Sequence, residues 1–296
     1  MSRRALARNV AMALLFAGVI RAAEGPWSAV DAALGRDGKD APGEARKYSF
    51  PRSDLVVTAS GITLHPALAL GSWAAFRRNP KDSHAMVMGD LVLLPSELNP
   101  VIRALARGGL SVTAIHNHLT GEQPEIVYVH FGGMGDAAAL ATAVRRALET
   151  TKTPLEQPPP PPLPTVEQQQ IFEALQTALG RKGTQAGSVL QVSVPRRDRI
   201  EEEGMEIPPS MGVAIALNFQ IEGQQVAATG DFVLTASEVD PVVRALQGNG
   251  IDVTALHSHM LREMPRLFFL HFWGVGSPEA IGAGLKAALG HVATAS

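Results

Sequence analysis

The 296-residue sequence contains no cysteine. That absence excludes disulfides, thiolate metal sites and an acylated amino-terminal cysteine together. No run of apolar residues reaches the roughly 20 needed to span a bilayer, the run from Ala11 to Ile20 being about half that length. Charge of neither sign dominates, with 26 basic and 28 acidic residues and a formal net charge of −2. A basic footprint for nucleic acid is therefore missing.

The first residues stand apart from the rest. Arg3, Arg4 and Arg8 form a basic head, an apolar run follows, and Ala22-Ala23 offers small residues for cleavage. This pattern predicts a secretory signal peptide over residues 1–23, the alternative being a short membrane anchor. A periplasmic or secreted protein is expected. Removal of that segment takes away four arginines and no acid, which leaves the remainder mildly acidic. With 46% hydrophobic residues, the chain has enough apolar side chains for two ordinary domains.

A long internal repeat organises the chain. At an offset of 141 residues, His116-Asn117-His118, Glu122 and His130 recur as His257-Ser258-His259, Glu263 and His271. The same offset relates Gly89-Asp90 to Gly230-Asp231, Ser96-Glu97 to Ser237-Glu238, Pro100 to Pro241, and Val112-Thr113-Ala114 to Val253-Thr254-Ala255. Upstream the offset drifts, so that Pro51-Arg52 answers Pro195-Arg196. Such a period is far too long for a solenoid and suits a duplicated domain. We read a first repeat over 24–150, a proline-rich linker over 151–165 and a second repeat over 166–296. The row Pro158 to Pro162 has no backbone donors and favours an extended spacer, although such rows can also serve as ligands for proline-recognising domains.

Each repeat carries the same pattern of elements. Helices are expected over Trp27–Leu34 and Val166–Leu179, and strands over Ala67–Phe76, Val213–Ile221, Met86–Leu94 and Gln225–Leu234. A helix follows, with Asn99 or Asp240 as its cap and Pro100 or Pro241 in its first position. Two strands joined by a short loop come next, Leu110–Leu119 with Glu125–Phe131 and Ile251–Met260 with Arg266–Phe272. A last helix is capped by Asp136 or Ser277. The fold class predicted is α+β, a tandem duplication of a unit with a mainly antiparallel sheet backed by helices. Duplicated units of this kind can pack as a pseudo-dimer, each half then supplying one wall of a shared cleft.

Six of the nine histidines lie in the two copies of the motif. Alternation along a strand puts His116 and His118 on one face, and a hairpin closing through Gly121 would bring His130 opposite or diagonal to His116. Glu122 from the loop would complete the set. Three imidazoles and one carboxylate suit zinc, copper, iron or manganese, and the spacing does not choose among them. The candidate metal ligands are therefore His116, His118, Glu122 and His130 in one repeat and His257, His259, Glu263 and His271 in the other. His271 is the only polar residue in Leu267-Phe268-Phe269-Leu270-His271-Phe272-Trp273, and a buried imidazole needs a hydrogen-bond partner or a metal. A bond to Glu263 or to a backbone carbonyl would satisfy it without any ion.

Other shared polar residues admit plainer roles. Glu97 and Glu238 suit the positive end of a helix. Asp90 and Asp231 read as turn residues that could instead add an oxygen ligand or orient a histidine. Arg52 and Arg196 are expected at the surface, with an anionic substrate as the other reading. His65, His84 and His291 have no counterparts.

The spacing His-x-His-x3-Glu resembles the first metal motif of cupins, but helices flank this hairpin and no second cupin motif follows. His116-Asn117-His118 resembles the HNH nucleases, whose basic surface is absent here. Gly89-Asp90-Leu91-Val92-Leu93, Glu97-Leu98-Asn99-Pro100-Val101, Thr113-Ala114-Ile115-His116-Asn117-His118 and Leu267 to Trp273 together resemble the LppY/LpqO family, a domain of unknown function named for mycobacterial lipoproteins. That resemblance covers both repeats and implies an exported bacterial protein with no established activity. Lacking cysteine, this chain departs from the family's lipoprotein members. Two functions are expected from these readings. One is an exported protein that binds a divalent metal, as a metal-dependent hydrolase or oxygenase with a small-molecule substrate. The other is a metal-free ligand-binding or structural protein whose histidines form buried hydrogen-bond networks.

Overall fold

The computed structural model describes residues 25–295. The signal peptide expected over residues 1–23 lies outside them. Each repeat forms a six-stranded antiparallel sheet. In the first repeat the strands are β1 (Lys39–Ala41), β2 (Ala45–Pro51), β3 (Gly71–Arg78), β4 (Ala85–Leu93), β5 (Ser111–His116) and β6 (Val127–Gly135), in the order β1-β2-β3-β4-β6-β5. In the second they are β7 (Thr184–Ala186), β8 (Val189–Val194), β9 (Ile215–Glu222), β10 (Gln225–Leu234), β11 (Asp252–His257) and β12 (Phe268–Gly276), in the order β7-β8-β9-β10-β12-β11. The two orders are identical, as duplication requires. Helices α1 (Ser28–Leu34), α2 (Pro66–Ala69), α3 (Pro95–Arg107) and α4 (Ala137–Leu148) belong to the first repeat. Helices α5 (Val166–Leu179), α6 (Ala236–Gly248) and α7 (Pro278–Leu289) belong to the second. The architecture is thus the α+β duplication expected. Among the described residues no helix is long and apolar enough to cross a membrane.

Strand β4 explains how the repeats meet. It is buried over its whole length, which an antiparallel strand achieves only when both sheet faces are covered. Val87, Leu91 and Leu93 join the core made with α3 and α4. The alternate residues Met86 and Met88 join a core that includes Met211, Ile215 and Leu217 of the second repeat. Period-two alternation therefore turns Asp90 toward the second repeat as well. The same holds on β6, where Val129 and Phe131 face the helices and Tyr128 shares a cluster with Ala227 and Trp273 of the other sheet.

Short arms lock the seam reciprocally. Helix α2 lies on β9 and β10, while the 3-10 turn Pro209–Met211 lies on β2 and β3. Amide side chains of the second repeat fasten the first arm. Asn218 donates to the Leu68 carbonyl (2.8 Å), Gln220 to that of Thr63 (2.8 Å) and Gln191 to that of Ala67 (2.8 Å). Nearer the middle, the Asn117 amide donates to Thr254 O (3.2 Å) and the Thr254 hydroxyl to His118 O (2.5 Å). The pairing is isologous, like a two-fold dimer written in one chain.

Four local expectations are corrected. The strand expected from Ala67 begins only at Gly71, because Pro66 opens a short helical turn with the apolar Ala67-Leu68-Ala69 facing the other repeat. Helices α3 and α6 begin a turn earlier than Asn99 and Asp240, at Pro95 and Ala236, with Pro100 and Pro241 inside them. Their start is set by Glu97 and Glu238 in the third helical position, which accept from the backbone N–H groups of Leu94 (2.9 Å) and Thr235 (2.7 Å). Strands β5 and β11 end at His116 and His257, so His118 and His259 stand on the loops beyond them. Arg52 and Arg196, expected at the surface, are buried.

Gly230, beside Asp231 on β10, is a steric requirement of its own sheet. A Cβ on Gly230 would stand 1.9 Å from the Ala216 carbonyl oxygen, a backbone atom of the paired strand. Gly230→Ala is therefore expected to cost about 3 kcal/mol or more by overpacking. Gly248, at the end of α6, has open space around it. Gly248→Ala is expected to change stability by no more than about 1 kcal/mol, in the stabilising direction. Urea denaturation of the two variants checks the contrast, and equal effects would refute it.

Candidate metal centre

Strand register carries the histidines to the seam. On β6, His130 lies between Ala114 of β5 and Asp90 of β4. On β12, His271 lies between Ala255 of β11 and Asp231 of β10. His116 is opposite Tyr128 and His257 opposite Phe269, so each is diagonal to its repeat's third histidine. His118 and His259 enter from the loops.

The two histidine sets meet in one cluster. His116 stacks on His257 with ring centres 3.6 Å apart, His118 on His271 at 3.9 Å, and His130 on His259 at 3.6 Å. A two-fold operation exchanging the repeats maps the first pair onto itself and the second onto the third. The ligand atoms of His116, His257, His259 and His271 lie within 4.8 Å of one another, as do those of His116, His118 and His130. Tyr128 covers His118 at 3.4 Å and Phe269 covers His259 at 3.5 Å. Its hydroxyl turned to Ala69 O, Tyr128 contributes only its ring.

Hydrogen bonding sorts the ring nitrogens. The Nδ1 atoms of His116, His257 and His271 sit 3.1, 3.4 and 2.8 Å from the carbonyl oxygens of Asn117, Ser258 and Gly230. A carbonyl only accepts, so Nδ1 carries the proton in these rings and Nε2 keeps its lone pair. All six Nε2 atoms are sealed from solvent and have no hydrogen-bond partner among the described residues. Burial also keeps the rings neutral, pushing His116 down to about 3 and His257 to about 4, and the other four well below the ordinary histidine range.

Carboxylates flank the cluster, but not the ones expected. Glu122 and Glu263 belong to neither group of converging ligand atoms. They are buried in their own loops, where they accept from the backbone N–H groups of Ile126 (3.2 Å) and Leu267 (3.0 Å), and Glu263 also meets Arg266. Asp90 Oδ2 stands instead 3.7 Å from His118 Nε2 and 3.8 Å from His130 Nε2. Asp231 Oδ2 stands 3.4 Å from His259 Nε2. Their other oxygens are buried and unpartnered among the described residues. Burial pushes Asp90 up to about 7 and Asp231 well above the usual range, the latter also through the charge of Asp90. These separations exceed hydrogen-bond lengths but suit groups arranged around a common ion or a water on it.

One mouth of the centre has features the sequence did not signal. A cavity of about 10 Å³ touches His130 and His259 beside Trp73, Met88 and Met211, room for about one water molecule. The Lys47 ammonium lies over the Trp73 ring, 4.4 Å from its centre. Register makes Gln191 its counterpart in the second repeat, and no repeated motif marks the position.

The sequence profile of a family described as Domain of Unknown Function (DUF1259) matches residues 28–150 and 173–291. The chain belongs to this family. It carries two DUF1259 domains in tandem, and the cluster lies where they meet. No curated protein matches the sequence. Among solved structures, the trimeric bacterial microcompartment shell protein PduB aligns at 13% identity over 86% of this chain and 89% of its own, with a TM-score of 0.22. EtuB from Clostridium kluyveri aligns at 12% identity over 85% and 90%, with a TM-score of 0.19. Scores this low carry no argument about DUF1259 architecture or activity.

Proposed function

We propose that this chain is a metalloprotein that holds a divalent transition metal among the six histidines at the seam of its repeats. The observation that carries this reading is the set of six buried Nε2 atoms without a hydrogen-bond partner. A buried polar atom left unsatisfied costs about 1–3 kcal/mol, and the metal-free cluster would leave six such atoms in one place. Imidazole suits zinc, copper and iron, and manganese is the weakest fit in a nitrogen-rich set. Such an ion lowers the pKa of a bound water toward neutrality. Asp90, beside two of the Nε2 atoms, would be the nearest carboxylate to a water held by such an ion. A metal-dependent hydrolase or an oxygenase acting on a small molecule is consistent with this chemistry. The resemblance to the LppY/LpqO family and the amino-terminal pattern add the proposal that the protein works outside the cytoplasm. Elemental analysis of protein purified without a histidine tag is expected to find at least one zinc, copper, iron or manganese ion per chain. Less than about 0.2 ion, with no uptake on incubation with these metals, would overturn the proposal.

A further inference from the structure

The six rings lie in two layers. In the first, His116 makes interplanar angles of 32° with His118 and 12° with His130. In the second, His257 makes angles of 35° with His259 and 19° with His271. The layers face each other through three ring pairs, two stacked and one tilted by 30°, with centres 3.6 to 3.9 Å apart. Each layer is made by a single repeat.

An imidazole lone pair lies in the plane of its ring. An ion halfway between the layers would lie outside every ring plane and off all six lone pairs. An ion within a layer meets three of them. The ring centres of His259 and His271 are 6.3 Å apart, yet their ligand atoms belong to a group lying within 4.8 Å, so the nitrogens turn inward. A point equidistant from the ring centres of His257, His259 and His271 lies about 3.2 Å from each, given separations of 4.8, 4.9 and 6.3 Å. A ring nitrogen stands roughly 1.1 Å from its ring centre, so an ion at that point would have bonds of about 2.1 Å, the usual metal–imidazole length.

Building on the metalloprotein reading above, we propose that the centre is dinuclear, one ion held by His116, His118 and His130 and a second by His257, His259 and His271. Layer spacing sets the ions roughly 3.5–4 Å apart, as in two-metal sites that clamp a shared ligand. The two ions bring four positive charges to a pocket whose nearby acids are Asp90 and Asp231, one per layer. The water-sized cavity touches one ring of each layer, so a small oxygen ligand entering there reaches both ions.

The test loads full-length, tag-free protein with copper(II) or zinc(II) and measures ions per chain and X-ray absorption. Two ions per chain are expected, with a metal–metal distance of about 3.5–4 Å and, for copper, spin coupling in the paramagnetic resonance spectrum. His130→Leu and its mate His271→Leu should each hold one ion and lose the coupling, with folding checked by circular dichroism. Either variant suffices if the other fails to fold. One ion per chain in the unaltered protein, or two without a short metal–metal vector, overturns the pair and leaves the metalloprotein reading standing. No bound metal overturns both.

Discussion

Replacing Arg52 by alanine is expected to lower the unfolding free energy by about 3–5 kcal/mol, the cost of stranding buried charge. Arg52 is completely buried, and its five donors are all engaged. Nε and one terminal nitrogen bond the Asp54 carboxylate at 2.9 Å each, the terminal nitrogens reach Glu97 at 2.7 and 3.2 Å, and one also reaches Val92 O at 2.7 Å. Glu97 accepts in addition from the N–H groups of Leu94 and Lys152. One guanidinium thus joins the end of β2, the end of β4, the start of α3 and the segment after α4. Arg196 repeats the arrangement with Asp198, Glu238 and Val233 O. Arg52→Lys should recover little, because an ammonium cannot reproduce the planar fork. The triple variant Arg52→Met, Asp54→Asn, Glu97→Gln should recover part of the loss by removing the stranded charges. Urea unfolding measures all three, and a loss under about 1 kcal/mol for Arg52→Ala would refute the hub.

These arginines mark where sequence reasoning ran short. Pro51-Arg52 and Pro195-Arg196 were visible as repeated residues, but a charged side chain gives no local sign of burial. Its burial depends on Glu97 and Glu238, more than 40 residues away in sequence. The histidines divide the same way. Closure of a short hairpin brought His130 diagonal to His116, because pairing between neighbouring strands is a local rule. That His118 pairs with His271 and His130 with His259 depends on how the repeats dock, and no spacing within one repeat encodes it. Glu122 and Glu263 shared the histidines' periodicity for a different reason, since each closes its own loop on a backbone N–H. Asp90 and Asp231 were visible as repeated residues, yet their place beside His130 and His271 follows from strand order. Lys47 and Trp73 left no signal because they break the symmetry that made the other residues conspicuous.

His130→Leu is expected to change stability in opposite directions without and with metal. The site is costly to an empty protein, since each buried Nε2 without a donor is worth about 1–3 kcal/mol of lost stability. The buried His130 Nε2 has no hydrogen-bond partner among the described residues, so leucine, of similar volume, removes an unsatisfied atom. The metal-free variant should therefore be more stable than the metal-free parent by about 1 kcal/mol. Bound metal reverses the order. A ligand present at a thousand times its dissociation constant stabilises the folded state by about 4 kcal/mol per site, and the variant forfeits the site of the first layer. Loaded parent protein should then exceed the loaded variant by about 3 kcal/mol. A histidine retained for packing would give a loss in both states, and one retained for a metal-free polar network would give its largest loss without metal. Urea unfolding of both proteins, stripped by chelator and reloaded with zinc, separates these cases. Only a crossing of the two stabilities fits a layer of histidines held open for an ion.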